Sequence, residues 1–147
     1  MSDIEKVREL ILNSLDAKVL DLSDYELTSL PAEIGQLDSL EWLDLSGNQL
    51  RSLPVEIGKL HSLKTLCLSY NELTNLPAEI GQLHSLQSLE LNNNQLRSLP
   101  AEIGQLHSWK LIDLRGEQLT SLPEVEIEQL HSLTRKMGAS PVLAGRL

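Results

Sequence analysis

Leucine and isoleucine recur along this chain in a pattern that repeats five times. The dipeptide Leu-Pro returns every 23 residues, with its prolines at Pro31, Pro54, Pro77, Pro100 and Pro123. Aligned at that period, residues 40–62, 63–85 and 86–108 follow the line LxxLxLxxNxLxxLPxEIGxLxx almost completely, and residues 17–39 and 109–132 follow it with defects. A period of this length indicates a solenoid, in which each unit buries its apolar side against its neighbours.

The LxL segment of each repeat alternates between apolar and outward positions, which predicts a short strand. Successive strands are expected to stack in parallel at about 4.8 Å, forming a concave sheet with continuous inward columns. The predicted inward pairs are Leu20 and Leu22, Leu43 and Leu45, Leu66 and Leu68, Leu89 and Leu91, and Ile112 and Leu114.

The rest of each repeat predicts a bend and a short turn. Buried asparagines at Asn48, Asn71 and Asn94 must use their amides on backbone groups, which predicts an asparagine ladder. Proline is expected to open a single 3₁₀ or helical turn on the convex side. A glycine is expected to end that turn through its permissive backbone. These glycines are Gly35, Gly58, Gly81 and Gly104.

The ends of the chain differ from the middle, as terminal repeats of a solenoid do. Residues 1–16 are predicted to form an N-terminal capping segment, with a helix over 3–15 whose N-terminus is capped by Ser2 or Asp3. Its apolar face would contain Ile4, Val7, Leu10, Ile11 and Leu15. Five repeats over 17–132 and a C-terminal cap or flexible tail over 133–147 complete a single domain, 1–147. Tyr25 and Glu117 replace the asparagine in the outer repeats, and Trp109 replaces a core leucine.

The repeat line resembles the leucine-rich repeat family from Ala17 to about Leu133. Its PAEIGQL segment is most similar to the intracellular subtype found in bacteria such as Legionella and Leptospira, in plants, and in Ras-associated animal proteins. The resemblance implies an α/β solenoid that forms a short right-handed arc, with a parallel concave sheet and short convex turns. It also implies protein binding through the concave surface.

Composition and charge narrow the classes of partner. The chain has no Phe and a formal net charge of −9, although its last 19 residues contain three basic groups and no acid. An acidic body repels nucleic-acid phosphates and anionic membranes, which leaves a basic or mixed protein surface as the expected partner. The N-terminus lacks the pattern of a signal peptide, so we expect a cytoplasmic protein. Transfer into a host cell without a cleaved signal is the alternative.

The residues between the inward leucines are the candidate binding residues, because they point out of the concave face. One position is acidic in four of five repeats, and Trp42 and Tyr70 lie beside it as candidate interface anchors. The acids could instead serve solubility, and the N-terminal segment could cover Trp42. The predicted contact set is Asp21, Trp42, Asp44, Thr65, Cys67, Tyr70, Ser88, Glu90, Asn92, Asp113 and Arg115.

Two features could carry chemistry but are better explained structurally. His61, His84 and His107 share one repeat position, with His131 one residue out of phase, and repeats copy any residue they contain. Cys67 has no histidine or acid placed to activate it, and an open groove offers no pocket that excludes water. We therefore predict no enzymatic activity, no cofactor and no metal.

These observations lead to a functional hypothesis. The chain is expected to be a monomeric binding module that covers the working surface of one partner, as an inhibitor or regulator of an enzyme, and that acts in a bacterium or as a bacterial effector. The alternative is an adaptor that joins two signalling proteins, as in Ras-pathway scaffolds. A short arc of five repeats favours a single compact partner.

Overall fold

Five short strands lie side by side in sequence order and form one parallel sheet. The computed structural model describes residues 3–117. Its strands are β1 (Val19–Asp21), β2 (Trp42–Asp44), β3 (Thr65–Cys67), β4 (Ser88–Glu90) and β5 (Leu111–Asp113). Every cross-strand pair joins residues 23 apart, such as Leu43 with Leu66. The repeat period is therefore also the register of the sheet, and the predicted parallel solenoid is confirmed.

The opposite, convex side consists of 3₁₀ turns, one in each repeat from the first to the fourth. They span Ala32–Gln36, Val55–Lys59, Ala78–Gln82 and Ala101–Gln105. The proline lies just before each turn in extended backbone, and its carbonyl accepts the first hydrogen bond, as in Ile57 N–H to the Pro54 carbonyl at 3.1 Å. The turn itself was predicted correctly, but the proline precedes it instead of opening it from within.

The glycines of these turns do not act as predicted. Gly58 is the fourth of five turn residues, and the positive φ angles of the described glycines belong only to Gly47 and Gly116. A Cβ atom on Gly58 would lie 2.7 Å from the Glu79 carbonyl oxygen of the next turn. Glycine is therefore required because neighbouring turns approach closely. A permissive backbone that ends the turn is not the reason.

The core is a stack of aliphatic layers between the sheet and the turns. Leu43, Leu45, Leu66 and Leu68 are fully buried, and Ile57 faces them from the convex side, also fully buried. Trp109 packs against the last layer while remaining partly exposed, so its predicted core position is confirmed. Burial of this kind contributes about 1.5–3 kcal/mol for each large aliphatic side chain.

The predicted asparagine ladder runs along the bend after the strands. Asn48 Nδ2 donates to the Leu22 and Leu45 carbonyls, both at 2.9 Å, and its Oδ1 accepts the backbone N–H groups of Tyr25 and Leu27. Asn71 and Asn94 donate to the equivalent pairs of carbonyls one and two layers further along, and the Oδ1 of each accepts one backbone N–H group. Each amide therefore ties its own repeat to the preceding one.

A helix closes the N-terminal end of the solenoid. Helix α1 (Asp3–Leu12) buries Val7 and Ile11 in the core, and Arg8 pairs with Glu33 of the first 3₁₀ turn at 2.9 Å. The helix ends three residues before the predicted boundary, because the chain turns at Ser14, whose N–H bonds to the Ile11 carbonyl. Leu15 is consequently 43% exposed, and its predicted place on the buried face is wrong.

Several predictions fall outside the described residues. These are the cap at Ser2, the end of the fifth repeat after position 117, His131 and the tail over 133–147. Among residues 3–117, no helix is long and apolar enough to cross a lipid bilayer.

Candidate functional site

The concave face contains two rows of outward side chains. In the first row, strand register places Val19, Trp42, Thr65, Ser88 and Leu111 next to one another. In the second, which we call the acidic row, it aligns Asp21, Asp44, Cys67, Glu90 and Asp113. Exposure is uneven, since Val19 is 61% exposed whereas Asp113 is only 5% exposed. The structure thus brings the predicted contact residues onto one surface but buries one of them.

Three of the four carboxylates in the acidic row also shape the strand exits. Oδ1 of Asp21 accepts hydrogen bonds from the N–H and hydroxyl of Ser23 at 2.9 and 2.6 Å, and Asp44 does the same with Ser46. These bonds lower the pKa of Asp21 below its ordinary value. An aspartate two residues before a serine is a known turn-forming pattern. The sequence contains this pattern twice, as DLS at 21–23 and 44–46, and the pattern indicates both turns although the repeat period does not.

The C-terminal end of the acidic row is neutralised internally. Arg115 reaches Asp113 with Nε to Oδ1 at 2.9 Å and Nη2 to Oδ2 at 2.6 Å. Burial raises the pKa of Asp113, but the hydrogen bonds and positive charge of Arg115 outweigh it and leave the pKa below its ordinary value. The contact role of Arg115 stays a prediction, and the structure shows that its guanidinium pairs with Asp113 within the same repeat.

Two acids outside the acidic row form ion pairs with lysine or arginine. Glu41 pairs with Lys18 at 3.5 Å and Lys64 at 3.7 Å, and Glu72 pairs with Arg51 at 3.5 Å. These pairs lie outside the two concave rows. No described salt bridge involves Asp21, Asp44 or Glu90. Asp21 and Asp44 therefore lack a paired cation within residues 3–117, whereas Glu90 interacts with Arg115 beyond salt-bridge distance.

Tyr70 follows β3 in a backbone conformation that is unusual for its type. The equivalent position in all five repeats has a positive φ, between 58° and 82°, and is occupied elsewhere by Asp24, Gly47, Asn93 and Gly116. Glycine, asparagine and aspartate tolerate this conformation, whereas a bulky side chain there costs about 1 kcal/mol or more. Tyr70 is nevertheless 63% exposed, so this cost is not offset by burial in the core.

A shallow hollow lies beside Tyr70. It has a volume of about 260 Å³ and is lined by Tyr70, Asn92, Asn93, Arg115 and Gly116. Asn92 accepts a hydrogen bond from the Ser69 hydroxyl at 2.5 Å, which holds that side chain at the rim. The hollow is open and polar, and it offers ring, amide and guanidinium groups to a protein surface.

Cys67 occupies the middle of the acidic row and is only half-buried. Its Sγ lies 3.8 Å from the Ser69 hydroxyl. Burial raises the pKa of the thiol, and the charges of Glu90 and Asp44 act in the same direction, against the lowering effect of Ser69. A thiol with a raised pKa is a weak nucleophile near neutral pH.

We expect Cys67 to be alkylated several-fold more slowly in the folded protein than in the urea-unfolded chain at about pH 7.5, because less thiolate is present and access is reduced. Iodoacetamide labelling followed by intact mass spectrometry measures both rates. Equal rates in the two states would show that the fold does not suppress the thiolate.

The three described histidines of the shared repeat position are stacked. The ring centroids of His61 and His84 are 6.5 Å apart, and those of His84 and His107 are 6.3 Å apart. All three residues are exposed at the exits of the 3₁₀ turns, away from the acidic row. Within residues 3–117, no group of three or more histidine, cysteine, aspartate or glutamate side chains is arranged to hold a metal ion.

Comparison with known families decides the classification. A profile described as "Leucine-rich repeat region" matches residues 55–136, and one described as "Leucine Rich Repeat" matches residues 39–60. The chain belongs to the leucine-rich repeat family. Leucine-rich repeat proteins commonly mediate protein–protein interaction and are typically not enzymes. No curated protein matches the sequence significantly.

Solved leucine-rich repeat structures resemble this one along most of its length. A leucine-rich repeat protein of Leptospira interrogans is 38% identical, with a TM-score of 0.65, over 79% of this chain and 41% of that chain. The leucine-rich repeat domain of the type III effector XopL is 31% identical, with a TM-score of 0.71, over 76% and 41%. The plant peptide hormone receptor RGFR1, solved in complex with RGF2, is 31% identical, with a TM-score of 0.63, over 69% and 17%.

These comparisons support the predicted resemblance to bacterial leucine-rich repeat proteins. This chain spans less than half of the length of each of the three solved chains. The similarity therefore establishes the family and the fold, and the activities and partners of those longer proteins do not follow from it.

Proposed function

We propose that this chain is a single-domain, monomeric and non-enzymatic module that binds one protein partner through its concave face. The observation that carries the proposal is the alignment of carboxylates in adjacent strands of the concave face, of which Asp21, Asp44 and Glu90 form no salt bridge within residues 3–117. A partner with lysine or arginine on its surface supplies the missing positive charge, and such complementarity favours fast and specific association.

Aromatic side chains supply the second part of the interface. Trp42 is partly exposed and lies in register between Val19 and Thr65, two residues from the carboxylate of Asp44 along the same strand. A lysine or arginine placed there contacts both the indole face and the carboxylate. Tyr70, held in its left-handed backbone conformation, extends the aromatic surface towards the hollow at β4 and β5.

The most economical action of such a module is to cover the working surface of an enzyme, as its inhibitor or regulator. The concave arc is short, and one compact partner fills it. The similarity to the repeat domain of a type III effector supports a bacterial origin, with action in the bacterial cytoplasm or after transfer into a host cell. An adaptor that joins two partners remains the competing hypothesis, and it requires a second binding surface outside the concave rows.

Purification of the chain from the source organism with its bound proteins distinguishes these hypotheses. One partner at equal stoichiometry, whose activity falls on binding, supports the inhibitor. Two partners that bind simultaneously support the adaptor. Loss of Cys67 alkylation in the complex would place the contact on the acidic row, whereas undiminished alkylation would place it elsewhere.

We expect Trp42→Ala combined with Asp44→Lys to weaken partner binding by at least about 100-fold. An interface aromatic anchor and a reversed charge together cost about 3 kcal/mol or more. Isothermal titration calorimetry with the purified partner measures the change. Glu72→Lys reverses an acid outside the concave rows and is the matched control, which should bind nearly as the wild type does. Wild-type affinity in the double variant would refute the concave-face proposal.

A further inference from the structure

The asparagine ladder ends in a residue that cannot complete it. Along the ladder, inner carbonyls receive two amide donors each. Leu45 O accepts Asn48 and Asn71 Nδ2, both at 2.9 Å. Leu68 O accepts Asn71 Nδ2 at 3.1 Å and Asn94 Nδ2 at 2.9 Å.

At the next layer the second donor is missing. Leu91 O accepts Asn94 Nδ2 at 3.0 Å, and Glu117 stands where the following asparagine would donate to it. An ionised carboxylate has no N–H or O–H group, so it cannot supply that bond.

Glu117 occupies the asparagine position in geometry as well as in sequence. Its side chain is buried, with 3% exposure, and its Oε2 accepts the Asn94 N–H at 3.1 Å. That bond spans 23 residues, like the bond from Tyr25 N–H to Asn48 Oδ1. Oε2 is therefore equivalent to the Oδ1 atom of the asparagines. Oε1, the other terminal atom, corresponds to their amide nitrogen.

Oε1 is buried without a hydrogen-bond partner among the described residues. A buried acceptor without a donor is unfavourable when it carries charge. A proton on Oε1 changes this, since the resulting hydroxyl can donate to a carbonyl as the asparagine amide does.

We propose that the protonation state of Glu117 controls the contact between the last described repeat and the one before it. In its neutral form, the carboxyl donates a hydrogen bond to the Leu91 carbonyl and stabilises that contact. Loss of the proton removes that bond and leaves a buried charge. The contact between these two repeats therefore becomes less stable as the pH rises.

The surroundings of Glu117 are consistent with this. Burial raises the pKa of its carboxyl from 4.5 to about 7, against the lowering effect of the Asn94 and Leu96 N–H groups. Within residues 3–117, the charged groups of the neighbouring segments are Arg97, which lines a hollow together with Asn94 and Gly116, and the paired Asp113 and Arg115 at the end of β5. None of these charges contributes to the shift, which burial dominates.

The contribution of Glu117 to the free energy of unfolding should decrease as the pH rises. The folded state holds this proton more tightly than the unfolded chain does, so the stabilisation is complete below about pH 4.5 and is lost as the pH rises to about 7 and above. Between about pH 5 and about pH 8, the equilibrium constant for unfolding should rise by on the order of 100-fold because of this single group.

Glu117→Gln tests the proposal, because glutamine has the same shape and supplies a permanent amide donor. Urea unfolding of both proteins at about pH 5 and about pH 8 should show similar stability at the lower pH and a more stable variant at the higher pH. Both chains contain the same four histidines, so the difference between them isolates Glu117. Glu90→Gln removes an acid from the preceding repeat and should retain the pH dependence of the wild type.

Carbon-13 NMR of the Glu117 carboxyl supplies an independent readout, with an expected titration midpoint near 7. A midpoint near the ordinary value for glutamate, or the same pH dependence of stability in Glu117→Gln as in the wild type, would overturn the proposal.

Discussion

Asn71→Ala should lower the free energy of unfolding by about 3–4 kcal/mol. The side chain donates to the Leu45 carbonyl at 2.9 Å and the Leu68 carbonyl at 3.1 Å, and accepts the Leu50 N–H at 3.0 Å. Removing it leaves the buried Leu50 N–H without that acceptor and opens a cavity in the ladder. The two carbonyls each lose one of two amide donors. Each such loss costs about 1–3 kcal/mol, partly relieved by relaxation.

Chemical denaturation followed by tryptophan fluorescence or circular dichroism measures this change. Asn75→Ala is the matched control, since Asn75 belongs to the same repeat but is exposed, and its loss should change stability by less than about 0.5 kcal/mol. Similar effects of the two substitutions would mean that the ladder contributes little to stability.

Gly58→Ala should destabilise the fold by about 2–3 kcal/mol, although alanine is the better helix former. The new methyl group would lie 2.7 Å from the Glu79 carbonyl oxygen and 2.9 Å from Gln82 Oε1. The Gln82 side chain can move, whereas the carbonyl belongs to the next turn and moves only if two repeats separate. Forcing atoms into a packed interior typically costs about 1–3 kcal/mol.

Gly35→Ala calibrates this effect. Its added Cβ would approach Glu56 at 3.0 Å and Lys59 at 3.2 Å, so the same substitution should cost less there. Thermal and urea unfolding of both variants measure the order. A Gly58→Ala protein as stable as the wild type would show that the turns are not tightly packed.

The repeat period made most of the architecture predictable. Five in-phase copies of one line determine the strand positions, their register and their inward leucines, because each position must meet its own copy in the next layer. The asparagine ladder was predictable for the same reason, since a buried amide at a fixed interval has only backbone groups to bond. Predicting the fold therefore required only the contacts between adjacent repeats.

The details that the sequence did not predict depend on close distances between neighbouring repeats or at the ends. The role of Gly58 comes from a carbonyl 21 residues away, and the early end of α1 comes from the turn at Ser14. The pairing of Arg115 with Asp113 and the buried state of Glu117 arise in the last described repeat. The repeat pattern predicts side-chain contacts least well in the first and last described repeats, whose residues depart from the pattern.

The candidate site was predicted as a surface but not as an electrostatic pattern. Alternation in the strands identifies which side chains point outward, and the structure places the contact residues together on that basis. It also shows that aspartates in this row bond to Ser23 and Ser46, which alternation does not reveal. The binding assignment of these residues stays a prediction for the Trp42 and Asp44 experiment to test.

The identity of period and register has a consequence for how such a protein changes over time. Removing or inserting any block of 23 residues within the inner repeats preserves every strand pair and every rung of the ladder. Recombination between copies can therefore lengthen or shorten the arc while each product keeps the sheet register. The convex segments over 77–85 and 100–108 are identical, whereas the strands Thr65–Cys67 and Ser88–Glu90 share only their central leucine. In these two copies the convex scaffold is thus unchanged, whereas the outward strand residues of the candidate binding face differ.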